Sequence, residues 1–236
     1  MPLLTRVLPA LAITLSVAGV ASADPPPAIN LGTLAPPGLT LQGPFLVART
    51  IRWYRFTIPA IAPATGRFLD ITTAGSAMQD QDLYPNDDTV IGLYDAAGAR
   101  IVFDDNDGPG STSQITFGAT APARPPVGNG LPGDGRDGSL AAGTYFLALG
   151  AGGSVMGPAN FSASNNTLNS GTPRLVLNLG TVCRADFDGN NAVSVQDIFD
   201  FLNAWFALDP RADFNGMNGI TPQDIFDFLN AWFAGC

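Results

Sequence analysis

Residues 185–207 (ADFDGNNAVSVQDIFDFLNAWFA) recur at 212–234 as ADFNGMNGITPQDIFDFLNAWFA, an offset of 27 residues with 17 of 23 positions identical. A duplication this close means one small unit used twice, neither copy able to bury its apolar face alone. The second half of each copy carries Ile198, Phe201, Leu202 and Trp205, or Ile225, Phe228, Leu229 and Trp232, at i, i+3, i+4, i+7 spacing, which predicts a helix. The first half is a twelve-residue loop with short oxygen-bearing side chains at alternate positions. Asp186, Asp188 and Asn190 stand at positions one, three and five, Ala192 offers its carbonyl at seven, Ser194 stands at nine and Asp197 at twelve. Calcium takes six to eight oxygens at about 2.4 Å, and this spacing lets one tight turn wrap them around a single ion. Position six, where glycine is usual, is Asn191, the next most tolerant of a left-handed backbone.

In the second copy Asp213, Asn215, Gly219, Thr221 and Asp224 hold positions one, three, seven, nine and twelve. Position five is Met217, whose thioether is a poor ligand for a hard cation, with Asn218 or water left to fill the gap. Two carboxylates against three predict weaker calcium binding in this loop. Asx-turns capping two helices without metal would use the same residues, so both readings stand at this point. Only LDPRA (Leu208–Ala212) separates the first copy from the second loop, and Pro210 disfavours an entering helix there. Each unit therefore reads as loop then helix. Phe199, Phe206, Phe226 and Phe233 widen the apolar faces; they are expected to pack between the helices or under the loops, a docking patch being the alternative. Asp200 and Asp227 fall on the opposite faces, where solvation is expected.

The rest of the chain obeys a different rule. All 11 cations are Arg and all 20 anions Asp, with no Lys, Glu or His, so two of the best surface helix formers are missing. The 27 Gly and 20 Pro supply turn residues instead, which predicts strands and loops. A net charge of −9 argues against a nucleic-acid or anionic-membrane partner. Without His there is no Ser-His-Asp or Cys-His catalysis and no His-ligated zinc or iron, and two Cys cannot cage a zinc. Residues 1–23 carry Arg6, an apolar run from Val7 to Val20 and then Ala21-Ser22-Ala23, the order of a secretory signal peptide cleaved before Asp24. The run is short for a membrane span and no second one follows, so a secreted or cell-surface protein without a transmembrane segment is expected, in a compartment where disulfides persist.

Runs rich in branched and aromatic residues predict strands at Thr50–Ile58, Arg67–Thr73, Val90–Tyr94, Arg100–Phe103, Ser113–Phe117, Thr144–Leu149 and Arg174–Leu179, with a possible first edge strand in Ile29–Leu34. Asp95-Ala96-Ala97-Gly98 makes Val90–Phe103 a hairpin. Seven or so short strands suggest a two-sheet β-sandwich over residues 24–180. Segments 119–138 and 151–172 lack any apolar period and are expected to be exposed loops. LGTL at 31–34, WYRF at 53–56, VIGLYDAAG at 90–98, DDND at 104–107 and LAAGTYFLAL at 140–149 give residues 28–180 a resemblance to the bacterial pre-peptidase C-terminal domain. That resemblance implies a non-catalytic sandwich or jelly roll, sometimes calcium-stabilised. Asp80, Asp82, Asp87 and Asp88 in one loop, with Asp104, Asp105 and Asp107 in another, are candidates for a further calcium site, solvated turns being the favoured reading.

Two loop–helix calcium repeats at the end of an exported chain make residues 181–236 resemble a type I dockerin, and the DIFDFLNAWFA…GC ending resembles the Gly-Cys-ending variety of planctomycete-type bacteria. The resemblance implies calcium in both loops and cohesin contacts at loop positions ten and eleven and on the helix, here Val195, Gln196, Pro222, Gln223, and Asn203 or Asn230. These lack the hydroxyl and basic residues of cellulosome dockerins, so a different envelope or scaffold receptor stands beside a cohesin. Cys183 and Cys236 flank the duplication; an oxidised pair would stabilise the module by about 4 kcal/mol in the chain-entropy treatment, the alternative being Cys236 as a covalent attachment point.

The fold expectation is thus mainly β: a β-sandwich or jelly roll, then a small helical dockerin-like module. The functional expectation is a secreted, non-enzymatic protein anchored through calcium. The runner-up is a component of an extracellular polysaccharide-degrading complex. A carbohydrate-binding role for Trp53 or Tyr84 is the third, with Trp53 read as core because it lies mid-strand.

Overall fold

Alternation along the strands decides what this chain buries. The computed structural model describes residues 24–62, 66–119, 124, 131–190, 192–217 and 219–235. The leader at 1–23, Asn191, Asn218 and Cys236 lie outside the described residues, and with Cys236 the Cys183–Cys236 pairing. Fourteen strands run in order: β1 (Ile29–Thr33), β2 (Leu39–Gln42), β3 (Arg52–Ile58), β4 (Arg67–Thr72), β5 (Ala77–Gln79), β6 (Pro85–Asn86), β7 (Thr89–Tyr94), β8 (Arg100–Asp104), β9 (Gln114–Gly118), β10 (Gly143–Ala151), β11 (Val155–Met156), β12 (Ala163–Ser164), β13 (Ser170–Thr172) and β14 (Arg174–Thr181). Two α-helices, α1 (Val195–Phe206) and α2 (Pro222–Ala234), follow, with a single 3-10 turn at Pro210–Ala212 between them. The described residues are therefore mainly β, in several sheets.

A five-stranded sheet has the order β1-β3-β10-β7-β8, antiparallel except for β1 beside β3. A four-stranded antiparallel sheet has the order β2-β14-β4-β9. One hydrophobic core joins them: Tyr54, Phe56 and Ile58 of β3 and Leu147 and Leu149 of β10 meet Leu69 and Ile71 of β4 and Leu175, Leu177 and Leu179 of β14. The period of two puts every second side chain of these strands on that inner face. Each predicted strand is present, and the Val90–Phe103 hairpin forms as β7–β8.

Segment 151–172, expected to be an exposed loop, is anchored instead, and so is the described part of 119–138. Within 151–172, Met156 and Phe161 are buried against Trp53, Val90, Tyr94 and Phe146, on the outer face of the five-stranded sheet. Phe161 meets Trp53 edge-on at 5.9 Å and Phe146 at 5.0 Å between ring centroids. Gly98 (φ +85°) lets the hairpin turn approach, since a Cβ there would lie 2.8 Å from the Phe161 ring. Of 119–138, residues 120–123 and 125–130 lie outside the described residues; in the described part Asp137 accepts from the Thr116 amide at 2.6 Å, and Arg124 is the charged anchor. Arg124 grips Asp70 of β4 at 2.5 and 2.7 Å, donates to the Ala119 carbonyl at 2.8 Å and lies 4.2 Å over the Phe68 ring. Such planar, bidentate pairing is what a buried carboxylate needs in place of water.

β14 leads straight into the tail. Val182 N–H donates to the Gly66 carbonyl at 2.8 Å, so the chain leaves the two-sheet body hydrogen-bonded to the turn before β4. The tail then builds a hydrophobic cluster of its own around Phe201, Ala204, Ala212, Phe214 and Phe228.

Candidate metal centre

The tail is knit by exchange between its two copies. Phe201 and Phe228 stack in parallel at 4.2 Å, both buried. Phe187 and Phe214, at loop position two, stand edge-on to both of them, at centroid distances from 5.4 to 6.1 Å. Trp205 of the first copy donates to the Thr221 carbonyl of the second at 3.0 Å, and Trp232 of the second to the Ser194 carbonyl of the first at 2.7 Å. Each helix thus holds down the other copy's loop, which is why one copy alone has nowhere to put its aromatic face.

Each loop starts and ends on the same carboxylate. Asp197, fully buried, accepts from the Phe187 and Asp188 amides at 2.7 and 3.2 Å with one oxygen, and from the amide and hydroxyl of Ser194 at 2.7 and 3.2 Å with the other. Asp224 repeats this with Asn215 N–H at 3.1 Å and the Thr221 amide and hydroxyl at 2.7 and 2.9 Å. Burial opposes ionisation of both, but these hydrogen bonds outweigh it and hold the two carboxyls below the usual range. The glycines at position four, Gly189 (φ +75°) and Gly216 (φ +68°), take the left-handed conformation that turns each loop back on itself.

Capping accounts for Asp197 and Asp224 but not for what happens at the first loop. There Asp186, Asp188 and Asp197 bring one carboxylate oxygen each within 4.8 Å of one another, two of the three residues being buried. Three like charges at that separation are self-repelling without a cation among them. The Asn190 backbone amide donates to Asp186 and Asp188 at 3.0 and 2.9 Å, closing the turn around them. The donor set is all oxygen, which suits a hard cation such as calcium and not zinc. In the second loop Met217 is 61% exposed, its thioether contributing nothing to a ligand shell, while its amide donates to Asp213 and Asn215.

Among the described residues no second group of three carboxylates converges in this way. Asp104, Asp105 and Asp107, candidates for a further calcium site with turns as the favoured reading, form no such group: Asp104 accepts from the Asp107 and Gln114 amides at 3.1 and 2.8 Å, and Asp107 faces Arg136 at 3.5 Å. Asp80 and Asp87 serve as turn acceptors for Asp82, Tyr84 and Ser111. Burial still pushes the Asp104 carboxyl up to about 6, with its amide hydrogen bonds opposing the shift and Asp107 adding to it. A group that holds its proton more tightly when folded stabilises below its unfolded pKa and loses that contribution as pH rises to 6. Asp104→Asn keeps the acceptor and removes the charge, so it is expected to raise stability at pH 7 by about 1–2 kcal/mol, after discounting for solvent screening, and to leave stability at pH 4 unchanged. Thermal melts at the two pH values check this.

The docking residues expected from the dockerin resemblance, Val195, Gln196, Asn203, Pro222, Gln223 and Asn230, are all exposed. The four extra phenylalanines correct the sequence reading: Phe199, Phe206, Phe226 and Phe233 are 57–78% exposed and pack neither between the helices nor under the loops. With Val195 or Pro222 they form one apolar stripe along the outside of each helix. Asp200 and Asp227 are bound by Gln196 and Gln223 at 3.0 Å, not merely solvated. Two residues that sequence reasoning passed over are Arg184, stacked on Phe214 at 4.0 Å, and Arg211, 5.5 Å from Phe187. Their signal was present, since RADF at 184–187 recurs at 211–214 and extends the repeat by one residue.

Comparison with family models, curated proteins and solved structures finds no match to this chain.

Proposed function

We propose that this chain is an exported, non-catalytic protein in which a calcium-folded, dockerin-like tail (181–236) tethers a β-sandwich (24–180) to a cohesin-like or other receptor on a scaffold or cell envelope. The observation that carries the reading is the convergence of the Asp186, Asp188 and Asp197 oxygens inside a duplicated loop. Asp186, Asp188, Asn190, the Ala192 carbonyl, Ser194 and Asp197 would hold the ion, which when bound neutralises the carboxylates and fixes the loop against the helices. The chain's own residues do the rest: Trp205 and Trp232 transmit loop order to the opposite copy, and the two helices present matching apolar stripes outward. An apolar surface of this kind, repeated on both helices, suits a protein partner. The Arg/Asp composition and the described exposed patches leave the tail with no basic face for a polyanion. The test is capture of envelope protein by the immobilised full chain in calcium, lost in chelator and on Asp188→Ala. Capture that persists in both would overturn it.

A second reading, polysaccharide binding by the sandwich, rests on a cleft of about 610 Å³ over the outer face of the four-stranded sheet, between Pro37 and Arg124 and lined by Phe68, Asp70, Gln114 and Asn178. Polar side chains of Asp70, Gln114 and Asn178 on this wall suit a hydroxyl-bearing ligand. Trp53 is buried and has no part in it, and Tyr84, though exposed, is not among its lining residues. Glycan-array binding lost on Asn178→Ala is the expected result if this reading holds.

A further inference from the structure

The two loops align residue for residue, but the bond that ties loop to helix is made differently in each. In the second copy the side chain at position three is a carboxamide. Asn215 Nδ2 donates to Asp227 Oδ2 at 2.9 Å, a bond from the loop to α2 one turn beyond Asp224. Its Oδ1 accepts from the Met217 amide at 2.9 Å, so both ends of the side chain are engaged within the protein. The Asn215 backbone amide donates to Asp224 at 3.1 Å, a second tie from the same residue to the start of α2. Gln223 donates to the other oxygen of Asp227 at 3.0 Å and so fixes the acceptor in place. The aligned residues of the first copy are Asp188 and Asp200. Two carboxylates accept and neither donates, so the same bond cannot form between them at neutral pH. In the first loop the side-chain donor is Asn190, at position five, whose Nδ2 reaches back to Asp188 at 2.7 Å. Between the copies the donor has moved from position five to position three, and position five is left to Met217, 61% exposed.

A bound ion in such a loop has one mechanical effect: it ties oxygens near the start of the loop to the carboxylate that begins the helix. In the second loop the bond between Asn215 and Asp227 makes a tie of that kind directly, and it is of the stronger, charge-assisted sort. The same bond reduces what the loop can offer a cation. Position three has a single side-chain oxygen, already accepting, where Asp188 has two, and the Met217 side chain brings no oxygen to position five. Resting on the calcium reading above, we infer that the second loop is closed by the Asn215–Asp227 latch in place of an ion, so that the tail takes up one calcium per chain. Asn215 is the residue that decides the count. The first copy then responds to calcium, and the second is the fixed brace against which it closes, the two being joined by the Trp205 bond to the Thr221 carbonyl.

The test is calcium titration calorimetry on the chelated full chain, joined to melts of the tail in calcium followed by helical circular dichroism. Wild type is expected to take up one ion per chain at millimolar calcium. Asn215→Asp turns the donor into a third carboxylate and sets it against Asp227. It should take up two ions, and its tail melting temperature should keep rising with calcium after the first site is full. Asp227→Ala removes the acceptor of the latch and leaves the ligand positions alone. In saturating calcium it should lower the melting temperature by about 5 °C more than Asp200→Ala, the aligned change in the first copy, which loses the matching glutamine bond but no latch. Equal shifts in these two variants overturn the latch, and that comparison stands even if Asn215→Asp fails to fold. A single ion in folded Asn215→Asp overturns the role given to Asn215. Two ions in wild type would overturn the inference and leave the calcium reading standing, whereas no uptake at all would remove that reading and the count with it.

Discussion

Chelating calcium from the full chain is expected to abolish most of the helical far-ultraviolet signal while the strand signal persists. The helical residues all belong to the tail, because α1 and α2 are the α-helices of the described chain. A module of 56 residues (181–236) sits near the size at which a hydrophobic core alone is marginal. Its first loop gathers Asp186, Asp188 and Asp197 within 4.8 Å, a repulsion that opposes folding until a cation enters. Calcium at a thousandfold excess over its Kd contributes about 4 kcal/mol, comparable with the whole stability such a module can have. Among the described residues the two-sheet body holds no such converging group, and it has its own core, so it should melt at the same temperature with and without chelator. Circular dichroism in both conditions, followed by readdition of calcium, measures the effect. A helical signal indifferent to chelation would mean that capping by Asp197 and Asp224 suffices.

Phe201→Ala should be the most damaging single substitution in the tail, costing about 3–5 kcal/mol and leaving the helices unfolded even in saturating calcium. Phe201 is fully buried, stacks on Phe228 at 4.2 Å and meets both Phe187 and Phe214 edge-on. Truncation would open a hole at the point where both copies meet, and a module this small has no reserve to absorb it. Phe199→Ala, two residues earlier and 57% exposed, is the contrast: its stability effect should stay within about 0.5 kcal/mol. Denaturation of the two variants in calcium, monitored by tryptophan fluorescence from Trp205 and Trp232, separates these outcomes. Equal effects would show that the aromatic tetrad is not the keystone described here.

The strands of the body were legible because most are short branched or aromatic runs bounded by Gly, Asp or Asn, as is Thr89–Tyr94 between Asp88 and Asp95. The helices were legible for a similar reason, their apolar period being repeated twice. Segment 151–172 was misjudged because two isolated residues, Met156 and Phe161, carry its anchoring in a Gly-, Ser- and Asn-rich context without period. Arg124 left no pattern at all, since a single cation finds its partner, Asp70, only in three dimensions. The exposed phenylalanines failed for the opposite reason. A helix apolar on two faces reads the same whether its second face is covered or open, and only the crossed pairing of the copies shows that Phe201 and Phe228 fill the core without help from Phe199 or Phe226. The convergence of Asp186, Asp188 and Asp197 follows from their spacing along one turn and not from long-range packing, which is why the sequence could point to it.

The most direct measurement is calcium titration of the chelated, full-length chain by calorimetry, with thermal melts of the same samples. The account predicts heat of binding with a tight first site, eliminated by Asp188→Ala, and a melting transition of the tail that rises with free calcium. No heat at millimolar calcium, together with an unchanged melting curve, would contradict it.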